Sequence, residues 1–300
     1  MNYKIIADSS SNIRRHEFPY ECLTVPLKIG TDEKEFTDNN ELEIEDMLVY
    51  LENYSGKSST SCPNVSDFVE AFGDAENIFC VTITSALSGS YNAACAAKEE
   101  YEEMHPKRHV CVIDSLSTGP EMKLIVEKLR ELISAGKNFD EICLDIAEYQ
   151  KNTALMFSLE SLKNLANNGR VSHMTARLAG ALGIRIVAKA SDKGTIETIT
   201  KSRGEKKAIE DIIKSMLLRG YNGGKVRIDH CFNSVAANVL KEKLLAKFED
   251  ADIVVGRSYG LCSFYAERGG LLVGFEANTE LPEADNEEVE VTEASESTEE

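Results

Sequence analysis

An α/β fold is what this chain of 300 residues predicts, and three observations carry that reading. Short apolar runs alternate with helical patterns through the first half, which is the sequence form of a mostly parallel sheet covered by helices. The hydrophobic fraction of 42% and charged fraction of 28% are those of a globular protein. The length also exceeds what one hydrophobic core normally organises, so two lobes are expected.

In chain order, strands are predicted at 3–7, 23–29, 78–83 and 110–113, with helices at 43–54, 66–72, 90–104, 121–135 and 139–149. The helix at 121–135 shows the pattern best. Its residues Leu124, Ile125, Leu129, Leu132 and Ile133 share one face, and Gly136 ends it. After a strand at 154–158 come helical pieces at 159–166 and 173–182, then strands at 184–189 and 195–200. Asp192-Lys193-Gly194 between those strands reads as the turn of a β-hairpin. A helix at 205–218, a strand at 226–229, a helix at 235–248 and strands at 253–256 and 271–275 complete a mixed α/β lobe.

The division expected is an N-terminal lobe over 1–152, a C-terminal lobe over 153–276 and a tail over 277–300. From Glu276 to Glu300 there are eleven acidic residues and no basic one, too little apolar surface to offset the entropy of ordering, so this tail is expected to be disordered. Setting those charges aside takes the net charge from −18 to about −7. That balance argues against a nucleic-acid backbone or an anionic membrane surface as partner. The first eight residues lack a signal layout and no uninterrupted apolar run is long enough to span a bilayer. A cytoplasmic protein without stable membrane insertion is expected. The cysteines, Cys22, Cys62, Cys80, Cys95, Cys111, Cys143, Cys231 and Cys262, include no C-x-x-C pair, so no metal site is expected and reduced, mostly buried thiols are.

The informative feature is the placement of hydroxyls. Asp8-Ser9-Ser10-Ser11, Thr84 through Ser90, and Asp114-Ser115-Leu116-Ser117-Thr118 each follow a predicted strand, and Ser58-Ser59-Thr60-Ser61 precedes a helix. In a parallel sheet the carboxyl ends of strands lie on the rim where ligands of open α/β folds bind. Helix N-termini there add unpaired N–H groups that favour an anion. Capping alone explains any one such cluster, because Ser, Thr and Asp are the preferred N-cap residues. A cap needs only one hydroxyl, however, and Gly89 beside Ser88 would let the backbone approach a ligand closely.

A serine nucleophile needs an adjacent base, and His16, His105, His109, His173 and His230 all lie outside these clusters. That leaves a serine-dependent hydrolase of lipid esters as the lesser alternative. An interaction protein working through its acidic tail is a second rival. Neither G-x-G-x-x-G after the first strand nor G-x-x-x-x-G-K-[ST] occurs, and no cofactor is expected. What remains is a neutral, hydroxyl-rich site suited to one carboxylate. Asn167-Asn168-Gly169-Arg170-Val171-Ser172 is a second constellation, a turn that places Arg170 ahead of an apolar run and so suits the lip of an apolar cavity.

Taken together these segments resemble the DegV family, whose members include the fatty-acid-binding subunits of bacterial fatty acid kinase. The resemblance runs from about Tyr3 to about Phe275 and rests on Ile6-Ala7-Asp8-Ser9-Ser10, on Thr60-Ser61-Cys62-Pro63 and on Ser85-Ala86-Leu87-Ser88-Gly89-Ser90-Tyr91. Val112-Ile113-Asp114-Ser115, the stretch from Leu159 to Ser172, and Arg203-Gly204-Glu205-Lys206-Lys207-Ala208 extend it. It implies a two-lobed fold holding a long-chain fatty acid between the lobes, with the tail in the C-terminal one. Carried over by position, Thr60, Ser61, Ser88, Gly89 and Ser90 would surround the carboxylate, and Arg170 would stand at the tunnel mouth or contact the kinase. The chain would then be a carrier, not an enzyme, presenting its ligand to a fatty acid kinase subunit that makes the acyl phosphate. One departure stands out: where the family commonly has a histidine before its final strand, this chain has Tyr265, which can donate a hydrogen bond but is not cationic.

Overall fold

The structure is a computed structural model and describes residues 3–14, 21–172 and 183–277. Its N-terminal lobe is built on a parallel sheet of β1 (Tyr3–Asp8), β2 (Leu23–Val25), β6 (Asn77–Thr82) and β7 (His109–Asp114), in the order β2-β1-β6-β7. Side chains alternate across each strand, so neighbours divide between two cores. Ile6, Ile78 and Cys80 face α2 (Val65–Phe72) and α3 (Ser90–Met104), meeting Phe68, Phe72, Ala94 and Ala97. Ile5, Phe79 and Val81 face α4 (Pro120–Ser134) and α5 (Phe139–Gln150), meeting Met122, Ile125, Leu129 and Ile142. Burial on both faces is why these strands read as continuous apolar runs.

The C-terminal lobe is a mixed sheet in the order β10-β9-β8-β13-β11-β12. Its strands are β8 (Thr153–Leu159), β9 (Ile184–Ala190), β10 (Ile196–Arg203), β11 (Val226–His230), β12 (Ile253–Arg257) and β13 (Leu271–Glu276). Only β11 and β12 pair in parallel, as their connection through a helix requires. One face carries Met156, Val187, Ile228, Val273 and Phe275 against α7 (Glu205–Leu218) and α8 (Ser234–Leu245). The other carries Leu155, Phe157, Leu159, Ile186, Ala188 and Leu272, and it looks toward the N-terminal lobe.

Two things cover that inner face. The helix α4 is one, and it approaches so closely that a Cβ on Gly274 of β13 would lie 2.4 Å from the Glu121 nitrogen. Buried charges fix the contact: Arg227 donates to both carboxylate oxygens of Glu127 at 2.7 Å, and Lys123 reaches Asp229 at 2.6 Å. The rest is covered by α6 (Lys163–Asn167), α9 (Gly260–Ala266), α1 (Ile44–Asn53) and a small antiparallel sheet of β3 (Lys28–Gly30), β4 (Glu35–Thr37) and β5 (Ser59–Ser61). The cavity described below lies in this layer.

Several expectations are corrected. The strand expected at 23–29 is two, because Pro26 supplies no N–H to a ladder; β2 stays in the parallel sheet and β3 leaves for the small one. The helical piece at 159–166 begins later. Leu159 continues the inward alternation of Leu155 and Phe157, and the helix starts at Lys163, whose N–H donates to the Ser161 hydroxyl at 3.1 Å. The strands β4 and β5 and the helix α9 were not expected. The piece at 173–182 and the tail from 278 lie outside the described residues. No helix of the described residues is long and apolar enough to cross a membrane, and none of their His, Cys, Asp and Glu side chains gather in threes as a metal would need.

Candidate ligand site between the lobes

Much of the hydroxyl clustering on the rim goes into holding the loops. Asp8, at the end of β1, is fully buried and accepts from Ile83 N at 2.8 Å, from Ser90 Oγ at 2.6 Å and from both the amide and the hydroxyl of Ser10. Burial pushes its carboxyl above the usual range, and those four bonds oppose the shift. Asp114, at the end of β7, accepts from Ser85 N at 3.1 Å and Leu116 N at 3.0 Å. Ser9 Oγ accepts from Leu27 N at 3.0 Å. Asp8 and Ser9 serve loop N–H groups that would otherwise be buried without a partner, whereas the Asp114 bonds hold their loop at the surface.

Between the lobes lies a cavity of about 290 Å³, close to the lower end of small-molecule pockets. Its walls are mostly apolar: Leu155, Phe157 and Leu159 of β8 with Leu272 on one side, and Leu27, Ile83 and Leu261 on the other. Thr60 and Ser61 of β5, Ser88 and Gly89 before α3, Tyr265 of α9 and Arg170 after α6 line one end, and the hydroxyl residues Thr84, Ser117, Thr118 and Thr195 line it elsewhere. Among the described lining residues Arg170 is the one formal cation, and there is no carboxylate and no histidine.

The geometry of that end is specific. Thr60 Oγ1 and Tyr265 Oη lie 2.8 Å apart, a bond that joins the small sheet to α9. Burial raises the Tyr265 hydroxyl above its ordinary value, while the Thr60 bond and the Arg170 charge pull it back, so the phenol stays protonated and able to donate. Ser88 Oγ accepts from Ser90 N at 3.3 Å, leaving its own proton for another acceptor. A Cβ at Gly89 would stand 3.2 Å from the Cys62 sulfur, so glycine keeps the backbone close to β5. The Arg170 guanidinium donates to Leu87 O at 3.3 Å and to Asn168 O, which fixes it across the mouth. Several neutral donors and one cation converging on a spot ahead of an apolar cavity can hold one carboxylate, with its hydrocarbon beyond.

Of the residues singled out in the sequence, Thr60, Ser61, Ser88, Gly89, Arg170 and Tyr265 come together here. Ser90 does not. It is fully buried and its hydroxyl is committed to Asp8, so it positions the loop. Cys62, Cys262, Thr118, Leu116 and Thr195 also line the cavity and were missed. Cys62, Leu116 and Thr118 sat inside motifs already noted, whereas Cys262 falls on α9, a helix that no periodic apolar pattern announced.

The fold and site define a two-lobed α/β protein with a mostly apolar cavity between the lobes that hydroxyls also line. The chain belongs to the DegV family, whose sequence model, described as an uncharacterised protein family, matches residues 2–277. A DegV domain-containing protein of Streptococcus pyogenes is 42% identical over 281 residues, covering 92% of this chain and 100% of the relative. A structure of a DegV family protein from Eubacterium eligens loaded with heptadecanoic acid is similar at 43% identity and a TM-score of 0.90, covering 92% of this chain and 100% of that one. The Streptococcus pneumoniae Fatty Acid Kinase (Fak) B3 protein loaded with linoleic acid is similar at 41% identity and a TM-score of 0.90, covering 93% and 100%.

Proposed function

We propose that this chain binds one long-chain fatty acid between its lobes and presents the carboxylate to a separate fatty acid kinase. The observation that carries this reading is the cavity itself, apolar along β8 and lined at one end by Thr60, Ser61, Ser88, Gly89 and Tyr265. Relatives above 40% identity were solved with a seventeen-carbon acid and with linoleic acid, which supports it.

The energetics explain how so weakly charged a site can hold an anion. Burying roughly fifteen methylenes contributes about 12 kcal/mol before entropy costs. Each hydrogen bond to a charged group adds about 1.5–3 kcal/mol. The tail supplies affinity, and the hydroxyls set the register in which a carboxylate oxygen can attack a phosphoryl group delivered by the kinase. On this reading the chain is a cytoplasmic carrier and does no chemistry. The hydrolase alternative lacks support, since no histidine or carboxylate stands among the described lining residues to activate a serine.

Native mass spectrometry of the protein purified from a bacterial host, followed by lipid extraction, tests the binding step. One long-chain fatty acid per chain is expected. Protein that is wholly apo and also fails to bind a fluorescent fatty acid would sink the carrier reading. Incubation of loaded protein with a fatty acid kinase and ATP should then give acyl phosphate.

A further inference from the structure

The strand β7 is the last of the parallel sheet, and the helix α5 runs alongside it. At one end of this contact the rings of His109 and Phe139 sit 5.7 Å apart. At the other, Gln150 Nε2 donates to the Asp114 carbonyl at 2.8 Å. The stretch of strand from 109 to 114 and the stretch of helix from 139 to 150 each advance about 16.5 Å, so the two elements keep in step between these points. Two residues on from His109 and four on from Phe139 the side chains therefore meet again, and there stand Cys111 and Cys143.

Side-chain alternation agrees with this pairing. Val110 and Val112 turn to the α2 and α3 face, while Cys111 and Ile113 turn to the core that Ile142, Cys143 and Ile146 share. Both thiols are half-buried, which a small solute can reach from the open edge of the sheet. They share a hydrogen bond that raises the Cys111 thiol above its ordinary range and lowers that of Cys143. Burial and Asp140 oppose the shift at Cys143, and Lys98 of α3 assists it. Burial instead raises the thiols of Cys80, Cys231 and Cys262, which leaves them poor nucleophiles.

We propose that Cys111 and Cys143 form a modification site, a dithiol that a hydroperoxide oxidises to a reversible disulfide. The Cys143 thiolate attacks one peroxide oxygen, so that an S–O bond forms, the O–O bond breaks and the departing oxygen leaves as water; the sulfur, now a sulfenic acid, has lost two electrons to the peroxide. The Cys111 sulfur then attacks the Cys143 sulfur. An S–S bond forms, the S–O bond breaks, and the hydroxyl leaves as water with the Cys111 proton. The segment enclosed by this bond holds the loop at Leu116–Thr118, which lines the ligand cavity, and the whole of α4, which carries the charged contact between the lobes. Oxidation thus ties down the part of the N-terminal lobe that touches both the ligand site and its partner lobe.

The test uses the full chain, reduced with dithiothreitol, desalted, treated with a few equivalents of hydrogen peroxide, alkylated and digested without reductant. Mass spectrometry should show a chain lighter by two hydrogens and one linked pair of peptides, joining Cys111 to Cys143, which dithiothreitol separates. The oxidised protein should melt about 5–10 °C above the reduced one. In Cys111→Ala, dimedone should trap a sulfenic acid at Cys143, whereas in Cys143→Ala position 111 should stay a thiol. Sulfinic or sulfonic acids at both positions with no linked peptide, a disulfide between other cysteines, or an oxidised form that melts no higher than the reduced one would each overturn the proposal. If a variant does not fold, the peptide map and melting of wild type decide alone.

Discussion

The two sides of the seam between the lobes are built from different chemistry. On the α4 side the contacts are buried charges: Arg227 with Glu127, Lys123 with Asp229, and Asn12 donating to Asp229 at 2.9 Å. Around the cavity the bonds that cross include Thr60 with Tyr265, Thr84 with the Gly194 carbonyl, Arg170 with the Leu87 carbonyl, and Leu261 N donating to the Asp38 carboxylate at 2.9 Å. A neutral bond such as Thr60 to Tyr265 contributes only about 0.5–1.5 kcal/mol net and one with a charged partner about 1.5–3 kcal/mol, whereas breaking one partner of a buried ion pair costs about 3–5 kcal/mol. The contrast teaches that the α4 side should hold the lobes in register more firmly than the cavity side. In hydrogen exchange, amides of β5 and of the Ser191–Thr195 tip should therefore exchange before those of α4 and β11. The reverse order would make the α4 side the weaker one.

The largest expected effect lies on the charged side. Glu127→Ala leaves the Arg227 guanidinium, whose side chain is 8% exposed, with the half-exposed Asp252 carboxylate as its remaining acidic partner at 2.8 Å, and should lower unfolding free energy in urea by up to about 3–5 kcal/mol. As a control, Glu52→Ala breaks the exposed pair with Arg268 and should cost less than about 1 kcal/mol. Equal effects would mean that burial does not set the strength of the seam.

On the cavity side the effect should fall on binding and spare the fold. Ser61→Ala or Ser88→Ala removes one hydrogen bond to a carboxylate, and affinity for the free acid should drop by about ten- to a hundredfold. Affinity for the methyl ester of the same acid should change much less. Acyl phosphate formation should fall further than binding, since a loosely registered carboxylate is less often placed for transfer. Unchanged free-acid binding in both variants would move the carboxylate elsewhere while leaving the carrier function standing.

How much of this was legible in the sequence depends on where each element draws its stability. The runs Ile5-Ile6-Ala7 and Ile78 through Val81 declare central strands because burial on both faces demands continuous apolar residues. Asp192-Lys193-Gly194 declares the hairpin because Gly194 has a φ of 73°. By contrast β5 is Ser-Thr-Ser and β4 is Glu-Phe-Thr, strands only because β3 pairs with them. The site divides in the same way. Thr60, Ser61, Ser88, Gly89, Arg170 and Tyr265 were found through motifs and sit around the cavity, but the diversion of Ser90 to Asp8, 82 residues away, is a tertiary fact. Leu116 stood inside a noted motif, but its φ of 52° was not legible there, because it comes with the bond from its N–H to Asp114 and the close approach of Gly194 from the other lobe.

The smallest expected effect concerns Tyr265, where the two sides of the comparison differ most in charge. As a neutral phenol it offers a carboxylate one uncharged donor, so Tyr265→Phe should weaken free-acid binding by no more than about tenfold. Because burial raises its hydroxyl above the ordinary value, Tyr265 remains protonated through neutral pH, and its contribution to binding should be flat from about pH 6 to pH 9. Tyr265→His changes the sign of that argument. An imidazole beside a carboxylate is protonated more readily when the acid is bound, so affinity should rise as pH falls through about 6.5, toward the range in which the fatty acid itself is neutralised. Isothermal titration across that window, with the methyl ester as the uncharged control, measures the difference directly. A flat profile for Tyr265→His with the free acid would show that position 265 does not face the carboxylate, and that the bond from Thr60 to Tyr265 only closes the cavity.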